Sequence, residues 1–487
     1  MTGLQEILFY FKQPVPVMMN RRDFLTRAAL AAGAAALPLR ALAEKCCSTA
    51  KPGRAPCILL RGSWQSVNIG DIGHTPGAIQ MIQRWLPEAR FILWAGGTEH
   101  GAKEMLQRSF PDLRIVSPVR GSDGRLRHAS TMLDKDGNPV APGLAEAWEE
   151  ADIMIHGSGS GFAARAQLAA FHRATGKPYG VLGTSIDPIS GFGGDCDPEG
   201  GTLADLQTRI EKLPRTHLDK QTRDIIDRAA FMFTRETMSR DYLRFQGART
   251  PILEFGPDTQ FGMTLRDDAR GDAYRESNNL PDGQFLCVIP RLRYTPYYEI
   301  YNRPRNETDR HRDAISDRSV ESDHAKLREV ITRYVRATDN RVMTCPEMTY
   351  QAPLAKRAVI DLLPDDVKKN VVWRSDYWLP DEAAAIYAKA QAVVSYDCHS
   401  PIIAITHGTP AFYVRQPTDT CKGEMYRDIG VADWLFEIDE TTGGEIWSRL
   451  ETVLREPAKS RAYAAAAMSR VHKAQRRMVA ALEETIA

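Results

Sequence analysis

Short apolar runs alternate with amphipathic stretches from Ala55 onward. CILLRG, RFILWAGG, LRIVSPV, DIMIHGSGSG and PYGVLGTS are apolar at consecutive positions and run out into glycine-rich or polar loops. Between them, GAIQMIQRWL, AKEMLQRSF, GLAEAWEEA and AARAQLAAFHRAT place apolar residues at helical spacing. A strand apolar on both faces needs cover on both, and an intervening helix supplies the crossover that a parallel pair requires. The pattern predicts a doubly wound α/β domain over roughly residues 54–225.

The pattern then restarts. Ala230–Thr234 reads as a strand and Glu236–Phe245 as a helix, which places a second Rossmann-like domain at 226–455. Its further strands are expected at Gln284–Leu292, Asn340–Thr344, Val371–Val372, Ala392–Tyr396 and Ala411–Arg415. The stretch near 297–322 is polar and rich in Arg, Asp and Asn, so an insertion or mobile loop is expected there. A helix follows around His324–Arg336. The Ala-rich segment 458–487 reads as a C-terminal helix that braces the two halves. The expected fold class is α/β, with two Rossmann-like domains and an interdomain cleft lined by the loops that follow the strands.

The first 43 residues stand apart. Met19–Ala43 has a basic front at Arg21 and Arg22, an Ala/Leu-rich middle and an Ala-Leu-Ala exit. That order resembles a twin-arginine export signal with cleavage after Ala43, preceded by an upstream extension. The apolar part is too short for a comfortable membrane span, so the expectation is a soluble protein in the periplasm or outside the cell, delivered by the twin-arginine export machinery. Lys and Arg number 63 against 62 Asp and Glu, a balance that argues against broad binding of nucleic acid or anionic lipid. The eight cysteines form neither a Cys-x-x-Cys pair nor a zinc ladder, and no metal ligand set stands out.

Six stretches carry candidate chemistry, and ordinary structural uses stand beside it. In SVNIGDIGHTPGA, Asn68, Asp71 and His74 put polar groups at the end of the first strand, where Asp71 can orient a hydroxyl or act as a base. The glycine spacing is not that of a dinucleotide fingerprint or a P-loop, and the same residues can serve as turn caps. In HGSGSGF, Gly157, Ser158, Gly159 and Ser160 suit either an anion cradle or a plain strand-to-helix turn. Arg235 in FTRETMSRDYL, Asp258 in FGPDTQF and Arg291 after CVIP lie at strand ends, where a guanidinium can fork a phosphate or carboxylate. In SYDCHSPIIAITHGTPAF, His399 opens a helix and faces the expected cleft, and Lys422 lies in the loop beyond. No Gly-x-Ser-x-Gly elbow supports a hydrolase.

In this order the pieces resemble the polysaccharide pyruvyl transferase family. Asn68-Ile69-Gly70-Asp71 is similar to its Asn-x-Gly-Asp loop, Gly157–Gly161 to its glycine-rich strand end, and Arg235-Glu236 with Ser239 and Leu243 to its Arg-Asp-x-x-Ser-x-x-x-Leu segment. Asp258 matches a Pro-Asp stretch, Ser395, His399 and Gly408-Thr409-Pro410 a Ser-x-Arg-x-His helix with Gly-x-Pro, and Lys422 a lysine in the next loop. The resemblance implies a GT-B-like pair of lobes, no nicotinamide or other cofactor, phosphoenolpyruvate as donor and a sugar hydroxyl of a glycan as acceptor. His399 would then donate a proton or stabilise the transferred enolpyruvyl group, Arg235 and Arg291 would hold phosphate and carboxylate, and Asp71 would position or activate the hydroxyl.

Two departures bear on that expectation. Asp397 stands where the family carries an arginine, which removes a clamp for an anion and adds repulsion. Export would also carry the chain away from cytoplasmic phosphoenolpyruvate. The leading expectation is an exported, glycan-modifying member that uses either phosphoenolpyruvate or an altered donor. A noncatalytic glycan-binding or envelope-associated protein and a glycosyltransferase are the alternatives.

Overall fold

A computed structural model of the protein describes residues 54–117, 132–189 and 200–487. The expected export signal and Cys46, Cys47 and Cys196 lie outside the described residues.

Two parallel sheets carry the fold. The first holds β1 (Cys57–Gly62), β2 (Arg90–Ala95), β3 (Arg114–Val116), β4 (Ile153–His156), β5 (Tyr179–Thr184), β6 (Phe231–Thr234) and β7 (Leu253–Phe255) in the order β3-β2-β1-β4-β5-β6-β7. The second holds β8 (Phe285–Ile289), β9 (Arg341–Thr344), β10 (Val371–Trp373), β11 (Ala392–Ser395), β12 (Ala411–Arg415) and β13 (Leu435–Glu437) in the order β10-β9-β8-β11-β12-β13. Every pairing between these strands is parallel. β1 shows why the apolar runs are unbroken: Cys57 and Leu59 enter the core on one face of the sheet, Ile58 and Leu60 the core on the other. In each sheet the order reverses beside the first strand, and the loops at that switch point form the natural ligand crevice.

Three sequence expectations change. The boundary at 226 is wrong for the sheets, because β6 pairs with β5 and β7 with β6, so both strands extend the first sheet. A strand that joins an existing sheet and one that starts a new sheet have the same periodicity. The polar stretch 297–322 is no loop: most of it lies in a 32-residue helix, Glu307–Thr338. Asn306 and Asp309 close a capping box at its start, while Ile315, Leu327, Val330 and Ile331 supply the buried stripe. The glycine-rich SVNIGDIGHTPGA is also largely helical.

That last segment gives the helix α1 (Ile69–Gln83), whose N-cap Asn68 accepts from the Gly70 N–H at 2.7 Å. Label the long helix Glu307–Thr338 α2, the helix after β11 α3 (His399–Thr406), and the C-terminal helix α4 (Pro457–Ile486). α4 buries Ala464, Ala467 and Val471 in the second half's core, and Met478, Val479 and Leu482 against the first sheet. One helix thus ties the two cores together. Among the described residues, no helix is long and apolar enough to cross a membrane.

Candidate active site

The floor of the candidate site is a packed corner where α1 meets α3, behind the residues that line the cleft. Gly70, Gly73 and Gly77 lie on one face of α1, spaced three and four residues apart. A Cβ on Gly70 would fall 2.2 Å from the His399 ring, one on Gly73 2.4 Å from Gln260 Nε2, and one on Gly77 2.2 Å from the Thr259 carbonyl oxygen. The glycines therefore let a ring, an amide and a backbone approach the helix directly. Backbone bonds stitch the same corner to the second half, with Ile69 N–H donating to Glu347 O at 3.0 Å and Thr349 N–H to Val67 O at 3.2 Å.

Beneath this floor lies a buried charge network. Arg235 is fully buried, donating to Asp258 Oδ2 at 2.9 Å and to Ser185 Oγ at 2.8 Å from Nη2, with Glu236 3.7 Å away. His74 Nε2 sits 3.1 Å from the same Asp258 oxygen. Burial works to raise the Asp258 pKa, but His74 and Arg235 outweigh it and hold the carboxyl far below its ordinary range. Asp258 is therefore an ionised acceptor that fixes both partners. Arg235 does not serve as the expected donor clamp, because the side chain is fully buried and turned to Asp258 and Ser185.

Asp71 is the more accessible acid here. It lies 4.0 Å from His74 Nδ1, a buried atom with no hydrogen-bond partner, and its side chain retains 13% exposure. Burial raises its pKa to about 6 against the opposing pull of His74. A carboxylate near neutrality at a cleft floor suits proton exchange.

His399 enters from the second half. Its Nδ1 is 2.8 Å from Gln260 Oε1, and its ring packs edge-on to His74 with centroids 5.0 Å apart. Because the amide oxygen accepts, Nδ1 carries the hydrogen. Burial, with His74 adding to it, pushes the His399 pKa well below its ordinary value. The neutral ring then leaves Nε2 as a hydrogen-bond acceptor, which suits holding a hydroxyl better than the expected proton donation. α3 has no side-chain cap of its own. Glu347 serves instead, taking Ser400 N–H at 2.6 Å and His399 N–H at 3.3 Å.

Asp397 does not leave an empty place. It accepts from Gln351 Nε2 at 3.1 Å and from Cys398 N–H at 3.0 Å, and its carboxylate is 3.4 Å from Arg291 Nε. Burial would raise Asp397, but Arg291 and Lys422 lower it below the usual range. Arg291 also donates to Asp419 at 2.5 Å, and Lys422 lies 3.1 Å from Asp419. Two cations and two carboxylates thus balance at the inner wall.

Arg291 and Ser160 help line a cleft of about 280 Å³ together with Arg293, Tyr297 and Thr418. The glycine-rich loop meets it through Ser160. Gly157 and Gly159 pack against Arg61 O and Trp64, and buried Ser158 accepts from Thr259 N–H at 2.8 Å. The next helix begins only at Arg165, so the expected helix-start cradle does not form. His156, buried and held down to about 3 by burial, is a structural histidine. Sequence reasoning missed Gln260, Glu347 and Asp419. Each is a single polar residue in a loop, and only tertiary packing joins it to the site.

His74, Asp258 and His399 present ligand atoms within 4.8 Å of one another, the geometry of a cation site. The adjoining Arg235 guanidinium opposes one, since it already occupies Asp258 Oδ2 with a full positive charge.

Comparisons place this geometry among known proteins. The chain covers 96% of a putative UDP-N-acetylglucosamine 2-epimerase from Listeria monocytogenes with 88% of its own length, at 14% identity and a TM-score of 0.54. A UDP-GlcNAc 2-epimerase from Neisseria meningitidis bound to UDP-GlcNAc matches over 88% of this chain and all of its own, with 11% identity and a TM-score of 0.49. The E. coli ADP-heptose lps heptosyltransferase II matches over 83% and 99%, with 10% identity and a TM-score of 0.44. The likeness to the Listeria protein shows the fold alone, a GT-B-like pair of Rossmann-like lobes. No curated protein matches the sequence significantly. The family model described as polysaccharide pyruvyl transferase matches residues 76–416, most of the described chain, and the protein belongs to that family.

Proposed function

We propose that the protein is a glycan-modifying transferase that joins a small anionic donor to sugar hydroxyls at the cleft floor, acting after twin-arginine export. The observation that carries this reading is the convergence of Asp71 and His74 from the first half with His399 from the second. With phosphoenolpyruvate as donor, one acceptor hydroxyl adds to C2 and C3 gains a proton. Phosphate leaves as a second hydroxyl closes the ketal, so two C–O bonds form, one breaks and the second hydroxyl proton departs with phosphate. Asp71, titrating near neutrality, suits taking the first hydroxyl proton and returning it to C3. His399 Nε2 suits holding the second hydroxyl by accepting its hydrogen bond while that proton leaves with phosphate. Arg291, which lines the cleft, and Lys422 beside Asp419 supply positive charge for the donor's anionic groups.

The pairing of Asp397 with Arg291 favours a second form of the reading, in which the donor carries less negative charge than phosphoenolpyruvate. Calorimetry with phosphoenolpyruvate decides between them. Saturable binding supports the family donor. No binding, with turnover of another activated donor, supports an altered one, and absence of any transfer to glycan leaves only a binding protein.

A further inference from the structure

Beside Asp71 the cleft edge carries an aromatic pair that the charge network does not use. We propose that Tyr301 and Tyr297, pinned by Gln65, form an acceptor subsite that takes the apolar C–H face of an uncharged pyranose. This rests on the glycan-modifying reading and names the surface that orients the sugar.

The short helix Tyr297–Ile300 sets the two rings, and their planes lie 7° apart with centroids at 6.0 Å. Gln65 fixes both hydroxyls, donating through Nε2 to Tyr297 Oη at 3.2 Å and accepting from Tyr301 Oη at 3.1 Å. Asn302, at φ 45°, turns the chain away immediately beyond. The Tyr301 residue remains 50% exposed, while Tyr297 lines the cleft. A large ring held rigid yet left open to solvent loses little entropy on binding, which is how aromatic anchors serve recognition.

The surroundings select the class of ligand. Gln65 lies on the loop that leads into Asp71, and Ser66 next to it donates to Glu99 at 2.7 Å. The carboxylates of Asp71 and Glu99 therefore flank this edge, whereas the cations Arg291 and Arg293 line the cleft. An anionic donor is drawn to the cationic side and repelled here. The electron-rich ring face attracts the partly positive C–H bonds of a sugar, and the neighbouring carboxylates suit its hydroxyls. A pyranose on Tyr301 then presents a hydroxyl edge toward Asp71.

The test uses methyl β-D-galactopyranoside as probe and saturation-transfer NMR on the full chain. Transfer to the H1, H3 and H5 face is expected, with affinity about five- to tenfold weaker in Tyr301→Ala and largely kept in Tyr301→Phe. A melting temperature checks that both variants fold. Equal transfer in wild type and Tyr301→Ala, transfer to the opposite sugar face, or no transfer in wild type overturns the subsite. Phosphoenolpyruvate binding, measured separately, fails or succeeds without altering this readout, so failure of the donor reading is distinguishable from failure of the platform.

Discussion

The His399 ring occupies the volume that a side chain on Gly70 would need, with the ideal Cβ position 2.2 Å from two ring atoms. The contact joins the first turn of α1 to the first residue of α3. Gly70→Ala is expected to displace His399 and lower transfer about a hundredfold, the scale for misplacing a reacting group by an ångström. Overpacking should cost about 1–3 kcal/mol in a urea titration. Unchanged turnover in a folded Gly70→Ala protein would remove His399 from the reaction.

Arg235 supports the site from beneath rather than clamping a ligand. Arg235→Met leaves the Asp258 carboxylate buried and without its guanidinium partner, and a loss of about 3–5 kcal/mol is expected from denaturant unfolding. A variant that melts like wild type but no longer binds donor would restore the clamp.

The acid limb of stability has a defined sign. Asp258 has a depressed folded-state pKa, so its stabilisation is present above the unfolded value of about 3.9 and is lost as pH falls toward the much lower folded value. Removing this group should flatten the dependence of stability on pH below about 4. Comparing pH-dependent unfolding of wild type and Asp258→Asn measures it.

Asp71 carries the opposite shift. As a base it must be ionised, so kcat/KM should fall as pH drops through about 6. Asp71→Asn should lower kcat about 10²–10⁴-fold and abolish that limb. Its raised folded-state pKa also means that ionisation opposes folding. The same variant should be more stable than wild type at neutral pH and lose that advantage near pH 4.

Asp397→Asn keeps a hydrogen-bond acceptor for Gln351 but releases charge from Arg291. Binding of inorganic phosphate, followed by calorimetry, should strengthen at least several-fold. Asp397→Arg places a second guanidinium against Arg291 and should lower the melting temperature without creating an anion site. Tighter phosphate binding by Asp397→Arg than by Asn would contradict the pairing.

Much of the fold is legible in the sequence. The unbroken apolar runs announce parallel strands because both faces are covered, and Asp71, His74, Asp258 and His399 stand out as polar residues that follow strands. Membership of β6 in the first sheet was not legible, since pairing partners leave no local trace. The helix over Gly70–Gly77 was hidden by its own glycines. They read as a loop from propensity, but tertiary contact with Thr259, Gln260 and His399 demands them. Arg235 could be placed at a strand end, yet whether it faced ligand or core depended on Ser185 and Asp258, which are distant in sequence.

The backbone bonds from Val67 and Ile69 to Thr349 and Glu347 have a kinetic consequence. A bilobal enzyme commonly admits ligand by swinging its lobes apart, on the microsecond-to-millisecond scale. Here such a swing would tear the floor that aligns His399 with Asp71. The expected route for ligand is therefore the opening lined by Ser160 and Tyr297, which leaves these bonds intact.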